Sequence, residues 1–441
     1  MVSLAVPPTV AVAYSGGRDS TALLHAAAVN AASGGFQVAA LHVHHGLSPQ
    51  ADAWLQHGAQ QCALWAANGL PVSFVAHRLT SRPAPGDSVE AWARQARYQA
   101  LRHMALAQGA DIVLLAHHRR DQAETFLLQA LRGAGTAGLS SMPKQVVRDG
   151  LTWARPWLHL PRSSIEHYVS AHGLTHIEDD SNADTRFARN RLRCDVWPTL
   201  TQAFPQVEAA LADCATWAQE ATLCLRDLAA IDLAEVVSAQ GFSVAAWTAL
   251  SEARRSNALR AWLAAQPGGA AGASLVKRLM VELPDAASRS ASATWPAAQG
   301  TLKRYRGVLT FHKTPGVQTP PSPREDTLRI TRAGTYKLPG WQGCVTATRV
   351  KQDGVALAWL GRVELRTRCG SEQFQAGLLR PPRSLKKQFQ AAGVAAWQRD
   401  GPLLFSGGQL VFVPGLGLDA RVIALPGQPQ VDLRWNANGA V

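Results

Sequence analysis

The order of apolar runs in the first 200 residues restricts the fold more than any other feature of the chain. Thr9 to Tyr14, Phe36 to Val43, Val72 to Ala76 and Asp111 to Ala116 are short and apolar, and each precedes a longer stretch with helical spacing. Continuous apolar strands are buried on both faces, and strands separated by helices pair in parallel. The pattern therefore predicts an α/β domain of Rossmann-like type, a parallel sheet with crossover helices. Ligands on such sheets bind beyond the carboxyl ends of the strands, so the residues that follow each run carry the functional reading.

After the first run comes Ser15-Gly16-Gly17-Arg18-Asp19-Ser20, and a helical pattern begins near Thr21. Two glycines let a backbone approach a phosphate, two serines supply hydroxyls, and a helix N-terminus adds unpaired N–H groups and a positive dipole end. The combination predicts a phosphate cradle. It lacks the Gly-Lys-Ser/Thr ending of a Walker A loop, and Asp19 inside it suits a magnesium ion on pyrophosphate.

The 441 residues predict two to four domains, and 47% hydrophobic against 17% charged residues provides for buried cores. Lys and Arg number 44 against 31 for Asp and Glu, a net charge of +13. That excess points to a polyanionic partner such as nucleic acid, with anionic lipid as the alternative. No run of about 18 uncharged apolar residues exists to span a membrane. Met1 to Val12 lacks the basic start of a signal peptide, so a cytoplasmic location is expected. Six dispersed cysteines with no Cys-x-x-Cys pair argue against a zinc ribbon, a thiol relay or an iron–sulfur cluster, and read as small hydrophobes in a reducing compartment.

Beyond the first domain (1–200), Thr199 to Leu263 is helical in pattern, and Leu275 to Leu283 reads as a further helix and Thr301 to His312 as a hairpin. Residues 201–313 are therefore expected to form a connecting helix and a small helical domain. Residues 314–326 contain Pro315, Pro320, Pro321 and Pro323 and read as a linker. From Thr327 to the end (327–441), β-type segments surround one helix, Ser384 to Ala392, which predicts a C-terminal α+β domain.

Four further stretches of the first domain carry chemistry. Leu41-His42-Val43-His44-His45-Gly46-Leu47 ends the second strand; His42 and His44 share a face, His45 faces away, and no carboxylate or cysteine accompanies them, which disfavours a metal site. In Glu90-Ala91-Trp92-Ala93-Arg94-Gln95-Ala96-Arg97-Tyr98, Glu90, Arg94 and Arg97 or Tyr98 share a helical face, as a surface ion-pair helix also would, after a Ser88 cap. In His117-His118-Arg119-Arg120-Asp121-Gln122-Ala123-Glu124-Thr125, after the fourth strand, Asp121 and Glu124 sit three apart in the first turn of a helix. Two carboxylates there can hold an ammonium group or assist its deprotonation, or serve only the helix end. Arg155, Arg162, Glu178-Asp179-Asp180-Ser181-Asn182 and Arg189-Asn190-Arg191-Leu192-Arg193 read as phosphate- or nucleotide-binding loops, or as solvated surface.

The Ser15–Ser20 loop resembles the pyrophosphate loop (PP-loop) of the N-type ATP pyrophosphatases, and with the four stretches the chain resembles the tRNA(Ile)-lysidine synthetase family. Ser384-Leu385-Lys386-Lys387-Gln388-Phe389 and Val411-Phe412-Val413-Pro414-Gly415 look like that family's C-terminal domain. Two departures stand out: Arg120 replaces the first Asp of Asp-Asp-Gln-x-Glu-Thr, and Gly370-Ser371-Glu372-Gln373 replaces Gly-Gly-Glu-Arg. The resemblance implies ATP, Mg2+, L-lysine and a tRNA(Ile) with a CAU anticodon. It implies nucleotide binding at Ser15, Gly16, Gly17, Arg18, Asp19 and Ser20, with Asp19 on the metal. Asp19, Arg94, Asp121 and Glu124 are its expected catalytic residues; Arg189, Arg193, Arg383, Lys386 and Lys387 are expected on the RNA, and Arg120 is expected to face phosphate or solvent. A tRNA thiolation enzyme or a non-catalytic RNA-binding relative is the alternative, and monomer and homodimer are both compatible with the sequence.

Overall fold

The computed structural model describes residues 7–46, 48–80, 89–178, 184–284, 293–313, 326–395, 399–425 and 427–437, with backbone alone at 89–91. The expectations for Leu47, Ser88, the Glu90 side chain, Asp179 to Asn182 and the Pro-rich segment up to Glu325 lie outside these residues. The chain divides into two compact units, Met1–Arg226 and Asp227–Val441.

In the first unit, β1 (Thr9–Ala13), β2 (Gln37–His44), β3 (Val72–Arg78) and β4 (Ala110–Leu114) are the four expected strands. The sequence reading missed β5 (Gln145–Arg148) and β6 (Leu151–Ala154), four residues each. The sheet runs β3-β2-β1-β4-β6-β5, parallel except for the antiparallel edge strand β5. Between the strands lie α1 (Arg18–Gly34), α2 (Ala51–Ala67), α3 (Val89–Ala107), α4 (Arg119–Leu131) and α5 (Thr136–Leu139). They are followed by α6 (Arg162–Ala171), α7 (Ala188–Arg191), a π-helical turn (Leu192–Val196), α8 (Trp197–Ala203) and α9 (Val207–Val236).

Alternate residues of each strand face opposite sides, which makes two cores. Val12, Val38 and Ala40 pack with Leu24, Trp65 and Ile165 on one face. Ala11, Ala39 and Leu41 pack with Leu101, Met104 and Trp153 on the other. Strands covered on both sides leave only their ends open, and β1 and β4 lie side by side, so the loops after them meet at the carboxyl edge.

The compact unit ends at Arg226 rather than near residue 200, because the first half of α9 is tied to the segment after α5. Gln219 Nε2 donates to the carbonyls of Ser140 (2.8 Å) and Met142 (3.0 Å), and Ser140 Oγ lies 2.9 Å from Thr222 Oγ1.

The second unit begins within α9 and continues with β7 (Val237–Ser238), β8 (Gly241–Ser243), α10 (Val244–Thr248), α11 (Glu252–Ala264), α12 (Ala273–Glu282), β9 (Ala293–Ala297), β10 (Gly300–Tyr305) and β11 (Val308–Lys313). Phe242, Trp247, Leu259, Trp295 and Leu302 form its core. The hairpin expected at Thr301 to His312 is β10 and β11, but it belongs to a five-stranded sheet, so this region is not helical alone.

The rest is α+β, as expected. One antiparallel sheet comprises β12 (Asp326–Leu328), β16 (Val363–Arg366), β19 (Leu403–Ser406), β20 (Gln409–Val413) and β21 (Gly417–Leu418). A second comprises β13 (Gly334–Leu338), β14 (Gly343–Val350), β22 (Gln430–Ala437) and β15 (Val355–Ala356). A short ladder of β17 (Gln373–Phe374) and β18 (Arg383–Ser384) leads into α13 (Leu385–Ala392). Val345, Leu365, Leu404, Phe412 and Leu433 share one core between the two larger sheets. All six cysteines are free: Cys62 and Cys344 are buried, Cys214 is half-buried, and Cys194, Cys224 and Cys369 are exposed, so only the first two serve as hydrophobes of a core.

Candidate active site at the carboxyl edge of the parallel sheet

The loop from Ser15 to Ser20 joins β1 to α1 and is closed by its own side chains. Ser15 Oγ lies 3.0 Å from Ser20 Oγ, the Gly17 N–H donates to Ser15 Oγ (3.3 Å), and Ser20 Oγ donates to the Gly17 carbonyl (2.9 Å). Gly16 has φ +86°, and a Cβ built on it would stand 2.5 Å from Ile177 Cδ1. The Ile177 N–H donates to the Gly16 carbonyl (2.9 Å), which seats the Ile177 side chain against the glycine, and the positive φ there favours a residue without Cβ. Gly17 caps α1 without a side-chain acceptor, which leaves first-turn N–H groups without that partner, as an anion cradle requires.

Asp19, in the first turn of α1, and Asp121, in the first turn of α4, are brought together by His118. Its Nε2 stands 3.7 Å from Asp19 Oδ2 and 3.5 Å from Asp121 Oδ2. The His118 N–H also donates to Asp121 Oδ2 (3.1 Å). Burial opposes charge on all three groups, but mutual attraction prevails. Asp19 is held below its ordinary value by His118 and Arg18, Asp121 by His118, His117 and Arg193, and His118 is raised by Asp19 and Asp121. Each shift thus favours the charged form of its group, an imidazolium between two carboxylates.

Asp121 and Glu124 share one helical face, as their spacing predicts, and both are claimed by Arg193 from the π-helical turn. Arg193 NH2 lies 2.8 Å from Asp121 Oδ1, and its Nε donates to Glu124 Oε1 and Oε2 at 2.8 and 2.9 Å. Glu124 is 0% exposed, so in this arrangement it orients Arg193 and offers no surface to a ligand. Arg189, also expected on RNA, donates to Thr125 Oγ1 (2.5 Å) and reaches Glu124 at 3.7 Å. Arg120 does not face open solvent: its Nε is 3.3 Å from Glu124 Oε1, and its guanidinium lies 5.1 Å from the Trp197 ring centroid.

Arg94 is exposed on α3, 5.2 Å from the ring centroid of Tyr98, and among the described residues it makes no ion pair with Asp121 or Glu124. The histidines after β2 differ from expectation in one respect: a carboxylate does accompany them, because His44 Nε2 lies 3.2 Å from Asp52 Oδ1. His42 Nδ1 contacts the Tyr14 carbonyl (3.0 Å), and burial pushes His45 down to about 4, helped by the charge of Arg97. Arg155 is buried and donates to the Pro143 carbonyl (3.0 Å), a role in the fold. Sequence reasoning missed His118 and the carboxylate-binding role of Arg193. The spacing of His118 before Asp121 was visible, but the pairing of Arg193, some 70 residues away, depends on the tertiary fold.

Among the described residues no group of three or more His, Cys, Asp or Glu could hold a metal unaided. Mg2+ needs only one or two carboxylates when phosphate oxygens and water complete its shell. Asp19, with its side chain 32% exposed at the loop, fits that requirement. In the second unit Arg383, Lys386 and Lys387 are exposed at the start of α13. Arg399, beyond the helix, donates to the Val394 carbonyl (2.7 Å).

A phosphate loop between the first strand and helix of a parallel sheet, with an acidic residue at the helix head, defines the PP-loop class of ATP-using domains. A PP-loop domain model matches residues 3–200, and models of the TilS substrate binding domain and the TilS substrate C-terminal domain match 242–310 and 363–435. The tRNA(Ile)-lysidine synthase of Burkholderia mallei is 41% identical over 93% of this chain and 89% of that protein. The proteins of the same name from Ralstonia nicotianae (39%; 95% and 91%) and Shigella flexneri (34%; 97% and 96%) match comparably. Among solved structures, a U34-tRNA thiolase from Methanococcus maripaludis gives a TM-score of 0.40 at 12% identity, over 49% of this chain and 73% of that one. The chain belongs to the tRNA(Ile)-lysidine synthase family, a family of ATP-dependent ligases.

Proposed function

We propose that the protein joins L-lysine to C2 of cytidine 34 in the CAU anticodon of tRNA(Ile), consuming ATP and releasing AMP and pyrophosphate. The observation that carries this reading is the Asp19–His118–Asp121 bridge, which sets a phosphate loop beside an acidic site for a cationic amine. The base oxygen attacks the α-phosphorus and pyrophosphate leaves, held by the Ser15–Ser20 loop and the head of α1. Magnesium on Asp19 would neutralise charge on the departing pyrophosphate. The lysine ε-ammonium, drawn towards Asp121, passes a proton to that carboxylate, its freed lone pair attacks C2 to form the C2–N bond, AMP leaves with the C–O bond electrons, and the remaining excess proton on nitrogen goes to water. Glu124 fixes Arg193, and Arg193 holds Asp121 in place, so Glu124 is a positioning residue in this scheme. Arg94 is free to meet the nucleotide or the lysine carboxylate from α3. Arg383, Lys386 and Lys387 are suited to tRNA phosphates.

Among the described residues no helix is long and apolar enough to cross a membrane. A tRNA substrate agrees with a cytoplasmic location and with the +13 charge. A thiolation enzyme is disfavoured by the lack of any Cys-x-x-Cys pair in the sequence. Incubation with ATP, Mg2+, labelled lysine and transcripts of tRNA(Ile) and tRNA(Met) tests the proposal. Label should enter the isoleucine transcript, with one AMP formed per lysine. Label in neither transcript, with both bound, would remove the reading.

A further inference from the structure

Apart from the pyrophosphate loop, the first unit contains a cavity of about 520 Å³ lined by three arginines, Arg119, Arg120 and Arg162. None of its lining residues belongs to Ser15–Ser20, and neither Asp121 nor Glu124 is among them. The N-terminal turns of three helices contribute to its wall: Arg119 and Arg120 from α4, Arg162 and Ser163 from α6, and Gln206 and Glu208 from the start of α9. Helix N-termini carry positive partial charge, and α6 is capped by Pro161 with no side-chain acceptor.

Each of the three arginines turns its Nε edge to a different carboxylate, as a hydrogen bond in Arg119 and Arg162 and as an ion pair alone in Arg120. Arg119 is 3.0 Å from Glu208, Arg162 is 3.0 Å from Glu166, and Arg120 is 3.3 Å from Glu124. Among the described residues their terminal nitrogens make no hydrogen bond to the protein. The carboxylates thus orient the guanidinium groups while leaving their outer donors available, and a planar guanidinium uses those donors in pairs on phosphate oxygens. Glu166 is shared with Arg18 (2.8 Å), so its charge is divided between two cations. Burial lowers Arg120, and beyond its attraction to Glu124 it is lowered further by Arg162 and Arg193, a positive excess that an anion would relieve.

We infer that this cavity is a second phosphate seat, which takes a backbone phosphodiester of the RNA substrate. The inference rests on the proposed RNA substrate but not on lysine transfer. A single phosphate with its ribose fits the volume of about 520 Å³. The Arg162–Glu166–Arg18 chain joins it to the residue next to Asp19, so occupancy would fix the strand relative to the pyrophosphate loop.

The test uses the full-length protein with Arg119→Gln and Arg162→Gln, singly and together, and Arg162→Lys as the charge-retaining control. Binding of tRNA(Ile) transcript is measured against salt, ATP binding separately, and melting temperature confirms folding. The double variant should bind the transcript at least 10-fold more weakly, with a salt slope shallower by roughly 0.7 to 0.9 log units per lost contact, and with ATP affinity unchanged. Arg162→Lys should recover most of the loss. An unchanged slope in folded variants overturns the inference. So does a loss of ATP affinity without loss of RNA affinity, which would make the cavity part of the nucleotide site. Inorganic phosphate that protects the wild type but not the double variant, with RNA binding unaffected, would assign the seat to a free anion and likewise overturn it. A wild type that binds transcript through these arginines yet transfers no lysine would refute the proposed reaction alone.

Discussion

His118 is buried, yet its imidazole is drawn towards the charged form by the two carboxylates it separates. A group whose folded value exceeds its ordinary 6.5 stabilises the fold fully below that value, and the contribution disappears as pH rises through the raised one. Asp19 and Asp121 are shifted the other way, so their contribution is complete above the ordinary 3.8 and is lost as pH falls through their lowered values. Thermal unfolding should therefore show a loss on the alkaline side of 6.5 that His118→Gln abolishes. A wild-type profile parallel to that of the variant from pH 6 to about 9 would refute the charged state. Arg193→Ala leaves two carboxylates without their cation and should cost about 3 to 5 kcal/mol. At roughly 2 to 4 °C per kcal/mol in a unit of this size, a fall in melting temperature on the order of 10 °C is expected. Pairing it with Glu124→Gln should cost less than the sum of the single changes if the ion pair is the reason.

The elements of the first unit illustrate what a sequence makes visible. β1 to β4 were legible because strands covered on both faces are apolar throughout, and the loop was legible because two adjacent glycines after a strand have few other uses. β5 and β6 were not: both are only four residues long, β5 is exposed throughout, and the alternation of β6 is too short to register as a strand. Asp121 and Glu124 were recognised by local spacing. Arg189 in α7 and Arg193 in the π-helical turn were expected on RNA, and nothing local reveals that they also reach Glu124. The loop itself depends on a contact across the unit. Gly16→Ala would force a side chain onto Ile177 at a positive φ, costing about 1 to 2 kcal/mol in backbone strain alone. ATP binding should weaken by 10-fold or more. Ile177→Ala in the same chain should restore part of it if the clash matters, and none if backbone strain is the whole cause.

Across the whole molecule, separate cores predict separable parts. Trp247, Trp295 and Leu302 pack without help from residues after Lys313, and Val345, Leu365 and Leu433 form their own core beyond Asp326. Arg306 NH2 on the Gln390 carbonyl (2.5 Å) is one contact that joins them. A chain ending after Lys313 should remain folded and bind ATP with unchanged affinity. Its affinity for tRNA should fall and its preference for tRNA(Ile) over tRNA(Met) should narrow, because a shared anticodon obliges the enzyme to read distant parts of the RNA. Equal affinities and an unchanged salt slope for the truncated and full chains would leave the C-terminal domain without a role in recognition.

The seclusion of Glu124 among three guanidinium groups has a consequence for how this protein responds to ionic strength. Mobile ions screen exposed charges over about 10 Å at 0.1 M salt but reach an enclosed pair poorly. The arginines that organise the carboxylates should thus be indifferent to potassium chloride, while exposed cations such as Arg383, Lys386 and Lys387 should lose their hold on a polyanion steeply. Salt becomes a means of dissociating grip from turnover: at saturating tRNA, the rate per bound complex should hardly change between dilute and concentrated salt, even as the amount of tRNA needed for saturation climbs by orders of magnitude.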